Sequence, residues 1–234
     1  MPRITCVRQG RARTVNTHAA VICETKSPQR LSSCLTLPGY DLYETPGCPT
    51  PGRNTGKWGV IVAIRRGLFT VTELSLPPAL SSRAVAVDLI IPTSNGGSFT
   101  HRLLGLYAPW DPGTSFDDNF WPAVSELCLS APFSWSASGD FNATLSTLET
   151  TSTSSQPLRS RLSYSSFLAN SQAVDLWSTQ GGADLMAHYT YRAYNNLPGI
   201  PTHRSIIDRT CTSRLGIVSG MIETLTTFIP CTDH

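Results

Sequence analysis

The stretch Phe133-Ser134-Trp135-Ser136-Ala137-Ser138-Gly139-Asp140-Phe141-Asn142 decides the interpretation of this chain. Its first six residues have strand character, and the tetrad after them lies where a buried strand would run out into a loop. Because strand side chains alternate between two faces, Asp140 and Asn142 can project toward the same point. A carboxylate beside a carboxamide offers a proton acceptor and a neutral donor, which suits the handling of water and a phosphate oxygen.

The last three residues, Thr232-Asp233-His234, add a carboxylate and an imidazole. Together with the tetrad they indicate metal-assisted phosphoester hydrolysis. Each motif alone also has a structural explanation. Asx side chains commonly bond their own backbone in turns, and terminal residues commonly fray.

Length and composition are those of an ordinary globular domain. The 234 residues are 40% hydrophobic and 15% charged, with a formal net charge of +2. This charge is too small to indicate a nucleic-acid-binding protein by itself. The one basic excess is in residues 1–17, at Arg3, Arg8, Arg11 and Arg13, and we interpret that segment as a basic, disordered tail or an aid in holding a polyanion.

The cysteines indicate neither a disulfide framework nor a zinc site. There are 7, an odd number, and no two form a Cys-x-x-Cys pair. Cys23, Cys128 and Cys211 lie in apolar runs and are predicted core residues. The N-terminus lacks the apolar segment of a secretory signal, and no run is long enough to cross a membrane. We therefore expect an intracellular protein of the nucleus or cytoplasm that is not secreted.

Hydrophobic patterning predicts several strands and two helices. The predicted strands are residues 18–23, 58–64, 84–91 and 102–107, with another opening at Ser205, and Asn95-Gly96-Gly97 marks a hairpin turn. The predicted helices cover residues 116–130 and 161–170, the second with an inner stripe of Leu162, Ser165, Ser166 and Ala169. Residues 27–56 are predicted to form a long loop or loop-hairpin region. This pattern excludes a helical bundle and favours strand-rich layers covered by helices.

Six motifs in order resemble one known family, the endonuclease/exonuclease/phosphatase superfamily. The match is most similar to the endonuclease domains of non-LTR retrotransposons and related proteins of mushroom-forming fungi, and it runs from about residue 18 to the last residue. The motifs are Ile22-Cys23-Glu24-Thr25-Lys26, Gly56-Lys57-Trp58-Gly59-Val60, Leu106-Tyr107-Ala108-Pro109, Gly139-Asp140-Phe141-Asn142, Ser205-Ile206-Ile207-Asp208-Arg209 and Thr232-Asp233-His234.

The resemblance implies a fold and an activity. The expected fold is a DNase I-like α/β (α+β) sandwich of four layers, with two packed mixed β-sheets flanked by helices, formed by residues 18–234 as one domain. The expected activity is divalent-metal-dependent endonucleolytic cleavage of DNA. The protein is expected to be a monomer. The alternatives are a phosphatase or phosphodiesterase acting on RNA or a small phosphorylated ligand, and an inactive relic that at most binds.

The resemblance also implies roles for individual residues. Glu24 is expected to be the main ligand of Mg²⁺ or Mn²⁺, with Asp233 as a second or outer ligand. Asp140 is expected to orient or deprotonate the attacking water, and Asn142 to hold the phosphate or that water.

The remaining roles concern the substrate. His234 is expected to contact the scissile phosphate, with Asp208 hydrogen-bonded to its ring, and Tyr107 to place its hydroxyl on a phosphate oxygen. Thr190 and Arg209 match positions near the substrate. The other histidines, including His101, are predicted surface or packing residues.

The chain also departs from the family pattern. Family members begin with a strand that carries an Asn near the metal, whereas about twenty residues precede Glu24 here. They also continue past the final His into a core strand. The resemblance therefore implies a chain shortened at both ends.

Overall fold

The β-branched runs of the sequence form two mixed sheets that pack face to face. The computed structural model describes residues 3–8, 17–110, 118–151, 158–179, 191–194, 201–215 and 223–224. The first sheet has five strands, in the order β15 (Glu223–Thr224), β1 (Arg3–Arg8), β2 (Ala19–Cys23), β6 (Val60–Arg65) and β3 (Tyr40–Thr45). Its strand β2 is parallel to β1 and antiparallel to β6.

The second sheet has six strands. Their order is β11 (Ala173–Asp175), β14 (Asp208–Ser213), β10 (Ser134–Asp140), β9 (Ser98–Tyr107), β8 (Ala84–Pro92) and β7 (Thr70–Glu73). The Asn95-Gly96-Gly97 turn joins β8 to β9, as the sequence predicted, and the amide of Thr93 donates to the carbonyl of Gly97. Two further ladders are β4 (Cys48–Pro49) with β5 (Gly56–Lys57), and β12 (Tyr191–Tyr194) with β13 (Pro201–Ser205).

The main core lies between the two sheets, and strand alternation decides which residues enter it. On β8, Val85 and Val87 face the five-stranded sheet, while Ala84 and Ala86 face away from it. Gly105 lets the two sheets approach closely, because an added Cβ would be 2.8 Å from Cγ2 of Val62.

A second core lies on the outer face of the six-stranded sheet. Helices α1 (Phe120–Leu129) and α2 (Leu158–Asn170) pack there, and the short α3 (Leu176–Thr179) follows β11. The predicted two-sheet architecture with flanking helices is therefore confirmed. In the described part of the chain, only the 3-10 turn Leu31–Ser33 accompanies the five-stranded sheet, at β3.

Three sequence-based expectations about elements need correction. The basic segment was expected to be a tail, but residues 3–8 form β1, as the β-branched Ile4 and Val7 favour. The region 27–56, expected to be a long loop or loop-hairpin around Tyr40 to Tyr43, contains β3, which pairs with β6 at the edge of the first sheet, and also β4. The predicted inner stripe of α2 was wrong.

The helix turns a different face inward. Leu162, Ser165, Ser166 and Ala169 are exposed, whereas Tyr164 and Phe167 are buried. Their large rings, three positions apart, set the phase of the helix because they bury far more apolar area than serine or alanine.

The three cysteines that were predicted to be core residues, Cys23, Cys128 and Cys211, are buried and free. No helix among the described residues has both the length and the hydrophobicity to span a membrane.

Candidate active site

Three of the predicted site residues lie in one row across adjacent strands. Asp140 is the register partner of Tyr107 on β9 and of Asp208 on β14. Register partners project from the same face of a sheet. Tyr107 packs against the core between the sheets, whereas its neighbours Leu106 and Ala108 face the helices. The row therefore faces the five-stranded sheet, at the end where β9 and β10 finish and β14 begins.

Glu24 reaches this row from the other sheet. It directly follows β2, and the preceding Cys23 thiol donates to the carbonyl of Leu106 at 3.1 Å. The hydroxyl of Tyr107 then donates to Oε1 of Glu24 at 2.8 Å. This hydrogen bond joins two candidate residues across the space between the sheets.

The loop that carries Glu24 is supported by the Gly56-Lys57-Trp58-Gly59-Val60 motif. The amide of Thr25 donates to the carbonyl of Gly59 at 3.2 Å, and that of Lys26 to the carbonyl of Trp58 at 2.8 Å. Gly59 is required, because its φ is +92° and an added Cβ would be 2.2 Å from Oγ1 of Thr25. The motif therefore positions Glu24, a role the sequence analysis did not assign.

Backbone strain is concentrated at this edge of the molecule. Six described residues other than glycine have positive φ, and all but Gln172 are in or beside the loops at the site. They are Glu24, Lys26, Trp58, Ser82, Asn142 and Gln172. Such conformations cost about 1–3 kcal/mol each and cluster at functional sites.

Tyr107 is held protonated by its surroundings. Burial, followed by the charges of Asp140 and Glu24 and the hydrogen bond to Glu24, raises the pKa of Tyr107 well above its ordinary value. A hydrogen bond from the side chain of Asn142 opposes that rise. The hydroxyl was expected to donate to a phosphate oxygen, but it has one proton, and Glu24 receives it here.

Asp140 and Asn142 are joined by a turn contact at the end of β10. Asp140 is 1% exposed, and its Oδ1 accepts the backbone N–H of Asn142 at 2.9 Å. The side-chain amide of Asn142 donates to the carbonyl of Ala108 at 2.8 Å. The turn contact given as the structural explanation therefore occurs, and the orientation of both side chains toward one substrate stays a prediction.

Gly139 allows β10 to approach β9 at this point. Its φ is +147°, and an added Cβ would lie 1.9 Å from the carbonyl oxygen of Leu106. No other residue fits without displacing the backbone that carries Asp140.

Arg209 is not at the surface, where a substrate contact would require it. It is 1% exposed, and its guanidinium donates to Asp175 at 2.9 Å, to Glu149, and to the carbonyl of Ala143 at 2.9 Å. Burial lowers the pKa of Arg209, but the charges of Asp175, Tyr164 and Glu149 outweigh this and raise it overall. Arg209 therefore ties the loop after Asn142 to β14.

Basic side chains line the rim beside Glu24. Lys26 lies 3.7 Å from Glu24 and is 47% exposed, and the neighbouring β4–β5 hairpin presents the exposed Arg53 and Lys57. No acidic residue occurs between Glu44 and Glu73. This basic rim was not predicted, although the absence of acidic residues was visible in the sequence.

The remaining predicted site residues, Thr190, Asp233 and His234, lie outside the described residues. The contact expected between Asp208 and His234 is therefore not described. Asp208 itself is 7% exposed, and its carbonyl accepts the indole N–H of Trp177 at 3.1 Å.

The donors that are described suit a hard cation. Glu24, Asp140 and Asn142 offer carboxylate and amide oxygens, the ligands that Mg²⁺ and Mn²⁺ prefer. Within the described ranges, no group of three or more His, Cys, Asp or Glu side chains is placed to hold a metal ion. The types of donor atom fit a divalent metal, and the carboxylate of Glu24, 29% exposed, is more accessible than that of Asp140.

Comparison with known proteins identifies relatives by fold. No family model matches this chain, and no curated protein matches it. Among solved structures, it is similar to an AP endonuclease from Leishmania major, with 14% identity and a TM-score of 0.61 over 85% of this chain and 70% of that one. It is also similar to a 3'-5' exonuclease from Neisseria meningitidis, with 16% identity and a TM-score of 0.58 over 84% and 77% of the two chains.

A third similar structure is the endonuclease domain of a telomere-specific non-LTR retrotransposon. It is 13% identical, with a TM-score of 0.54, and the match covers 85% of this chain and 74% of that one. The chain therefore has the DNase I-like fold of the endonuclease/exonuclease/phosphatase proteins, with its candidate site at the shared edge of the two sheets.

Proposed function

We propose that this chain is a divalent-metal-dependent phosphodiester hydrolase that nicks DNA, of the non-LTR retrotransposon endonuclease type. The observation that carries the proposal is the meeting of Glu24, Tyr107, Asp140 and Asp208 at one edge between the sheets. The six motifs in family order support the same conclusion, as does the similarity in fold to nucleases.

The residues would divide the work of an in-line attack by water. Asp140 would orient the water and accept its proton, which its buried carboxylate beside Asn142 supports. Asn142, held by the carbonyl of Ala108, would hold the phosphate or the water. Tyr107 would fix Glu24 by its hydrogen bond. His234, oriented by Asp208, would contact the scissile phosphate.

A divalent metal would be held mainly by Glu24, with Asp233 as a second or outer ligand. When bound, such an ion polarises a phosphoryl oxygen and stabilises the leaving group. The oxygen donors at this edge support Mg²⁺ or Mn²⁺ rather than a softer metal.

The basic rim supports a long polyanion over a small phosphoester. Lys26, Arg53 and Lys57 project beside Glu24 and are exposed, so that they can contact phosphates on either side of the scissile one. Each such contact releases a condensed counterion from DNA and makes affinity fall with salt.

The test is nicking of supercoiled plasmid by the purified chain with Mg²⁺ or Mn²⁺, at rising salt concentration, beside a sample with EDTA. We expect nicking that EDTA abolishes and that weakens steeply with salt. Replacing Lys57 with Gln should reduce the salt slope by roughly one, whereas Arg214→Gln, an exposed control at the opposite end of β14, should not change it. Metal-dependent hydrolysis of a small phosphoester without plasmid nicking would favour the phosphatase alternative.

A further inference from the structure

One exposed aromatic residue, Trp110, directly follows the Leu106-Tyr107-Ala108-Pro109 motif of the site. Trp110, three residues beyond Tyr107, is 50% exposed. Three other tryptophans, Trp121, Trp135 and Trp177, are only 6%, 4% and 7% exposed. Half of the surface of Trp110 is therefore open to solvent, on the segment that directly follows the Tyr107 motif.

The backbone of Trp110 is fixed although its ring is exposed. The hydroxyl of Ser160, in the first turn of α2, donates to the carbonyl of Trp110. Two residues earlier, the carbonyl of Ala108 accepts the amide of Asn142. Two residues span at most about 7 Å, and stacked nucleotides rise about 3.4 Å each. The backbone of Trp110 thus lies within about 7 Å of the residue whose carbonyl holds the side chain of Asn142.

The chain beside Trp110 is basic. Arg159 and Arg161 flank Ser160, and Arg161 donates to the carbonyl and hydroxyl of Thr144 at 3.2 and 3.3 Å. Helix α2 contains no acidic residue. An exposed aromatic ring with neighbouring cations is the composition of surfaces that bind single-stranded nucleic acid.

We propose that Trp110 stacks on a nucleobase one or two nucleotides from the scissile phosphate, so that the site prefers a strand with unpaired bases. A base inside a duplex has both faces covered by its neighbours, so only an unpaired or unstacked base offers one to the indole. This stacking proposal rests on the nuclease function proposed above, because it requires a nucleic-acid substrate.

Binding is tested without cleavage, in EDTA, with a short fluorescently labelled oligothymidylate. Stacking on aromatic side chains contributes about 1–3 kcal/mol per base, so Trp110→Ala should weaken binding roughly 5- to 150-fold. Trp110→Phe should retain most of the affinity because it keeps an aromatic ring. The matched control is Phe133→Ala, which removes a ring that is 46% exposed at the other end of β10.

Intrinsic fluorescence gives a second readout. Unlabelled oligothymidylate should quench the tryptophan emission of the wild-type chain, and Trp110→Phe should remove that quenching while the oligonucleotide still binds. Unchanged affinity in Trp110→Ala, or quenching that persists in Trp110→Phe, overturns the stacking proposal.

Plasmid nicking by the same preparations separates the two proposals. Nicking by the wild-type chain, with oligonucleotide affinity unaffected by Trp110→Ala, leaves the nuclease function standing and rejects stacking. Trp110-dependent binding without nicking supports stacking and rejects the nuclease function. Neither binding nor nicking rejects both.

Discussion

The hydroxyl of Tyr107 has one proton to donate, and Glu24 receives it at 2.8 Å. This contact fixes the carboxylate that is proposed to hold the metal, and burial keeps the phenol protonated. A hydrogen bond of this kind, to a group that holds a metal ligand in place, commonly changes metal affinity or activity by about 10- to 100-fold. Tyr107 therefore acts through Glu24 in this account.

We predict that Tyr107→Phe raises the Mg²⁺ concentration needed for half-maximal nicking by roughly tenfold or more, because Glu24 loses its positioning partner. The measurement is plasmid nicking across a Mg²⁺ titration. Tyr43→Phe is the matched control, since Tyr43 packs against the same core from β3. An unchanged Mg²⁺ requirement in Tyr107→Phe would contradict the assigned role.

A second residue-scale prediction concerns Gly139. Gly139→Ala should destabilise the fold by several kcal/mol, because its Cβ would meet backbone that does not yield, 1.9 Å from the carbonyl oxygen of Leu106. The measurement is urea unfolding. Gly96→Ala is the control: φ there is +82°, but nothing lies within 4 Å, so only the conformational cost of about 1 kcal/mol applies. Equal losses in both variants would show that the close approach is unimportant.

The position of a single residue was predictable where the sequence next to it determines the local structure. The strand character before Asp140 places it at the end of β10, and this position was readable from the sequence. The burial of Arg209 was not, because its partners Glu149 and Asp175 are 60 and 34 residues away in the chain. Only the folded chain brings them together.

Strands β9 and β10 share a buried histidine away from the site. His101 lies between two serine hydroxyls, with Nδ1 2.8 Å from Ser134 and Nε2 2.9 Å from Ser136. Burial lowers the pKa of His101 from 6.5 to about 4, and the charge of Asp88 opposes this only in part. The folded protein therefore holds the imidazole neutral, whereas the unfolded chain takes up a proton below about pH 6.5.

Stability should therefore fall as the pH drops from 6.5 toward 4, because the unfolded state binds more protons in that window. Above pH 6.5 this penalty is absent and the full stability is present. The pKa shift of His101 from 6.5 to about 4 corresponds to a loss of about 3 kcal/mol in unfolding free energy. Urea unfolding at several pH values measures it. In His101→Gln the unfolding free energy should fall by about 3 kcal/mol less than in the wild type between pH 6.5 and 4. The same fall in both proteins would contradict the assignment.

Arg209 holds the loop after Asn142 against β14 through its hydrogen bonds to Ala143, Glu149 and Asp175. We predict that Arg209→Met costs about 3–5 kcal/mol in unfolding free energy, because it leaves the carboxylates of Glu149 and Asp175 buried without their cation. Arg66→Met is the control, since Arg66 pairs with Asp41 at an exposed position and should cost less than about 1 kcal/mol. A loss in Arg209→Met no larger than in Arg66→Met would show that the buried network contributes little.

Elements were predictable to the extent that local pattern determined them. Strands β8 and β9 and the turn between them have β-branched residues and an Asn-Gly-Gly turn, and all were found. The phase of α2 was not predictable from small residues, because packing of Tyr164 and Phe167 against Trp121 decides which face turns inward. Strand β1 was missed because its arginines outweighed its β-branched residues in the interpretation.

At the scale of the whole molecule, the site exists only where the two sheets meet. Glu24 directly follows β2 of the five-stranded sheet, whereas Tyr107, Asp140 and Asp208 belong to the six-stranded one. Hydrophobic patterning predicted strands but not which sheet each would join, because pairing depends on contacts distant in sequence. The family resemblance provided that arrangement, and the fold confirms it.

The most direct test of the central claim is plasmid nicking by Asp140→Asn, which keeps an acceptor for the backbone N–H of Asn142 but removes the negative charge. Asp118→Asn, at an exposed position before α1, is the matched control. Removal of a general base should slow nicking about 100- to 10,000-fold without unfolding the chain, and the control should match the wild type. Wild-type nicking rates in a folded Asp140→Asn protein would contradict the account.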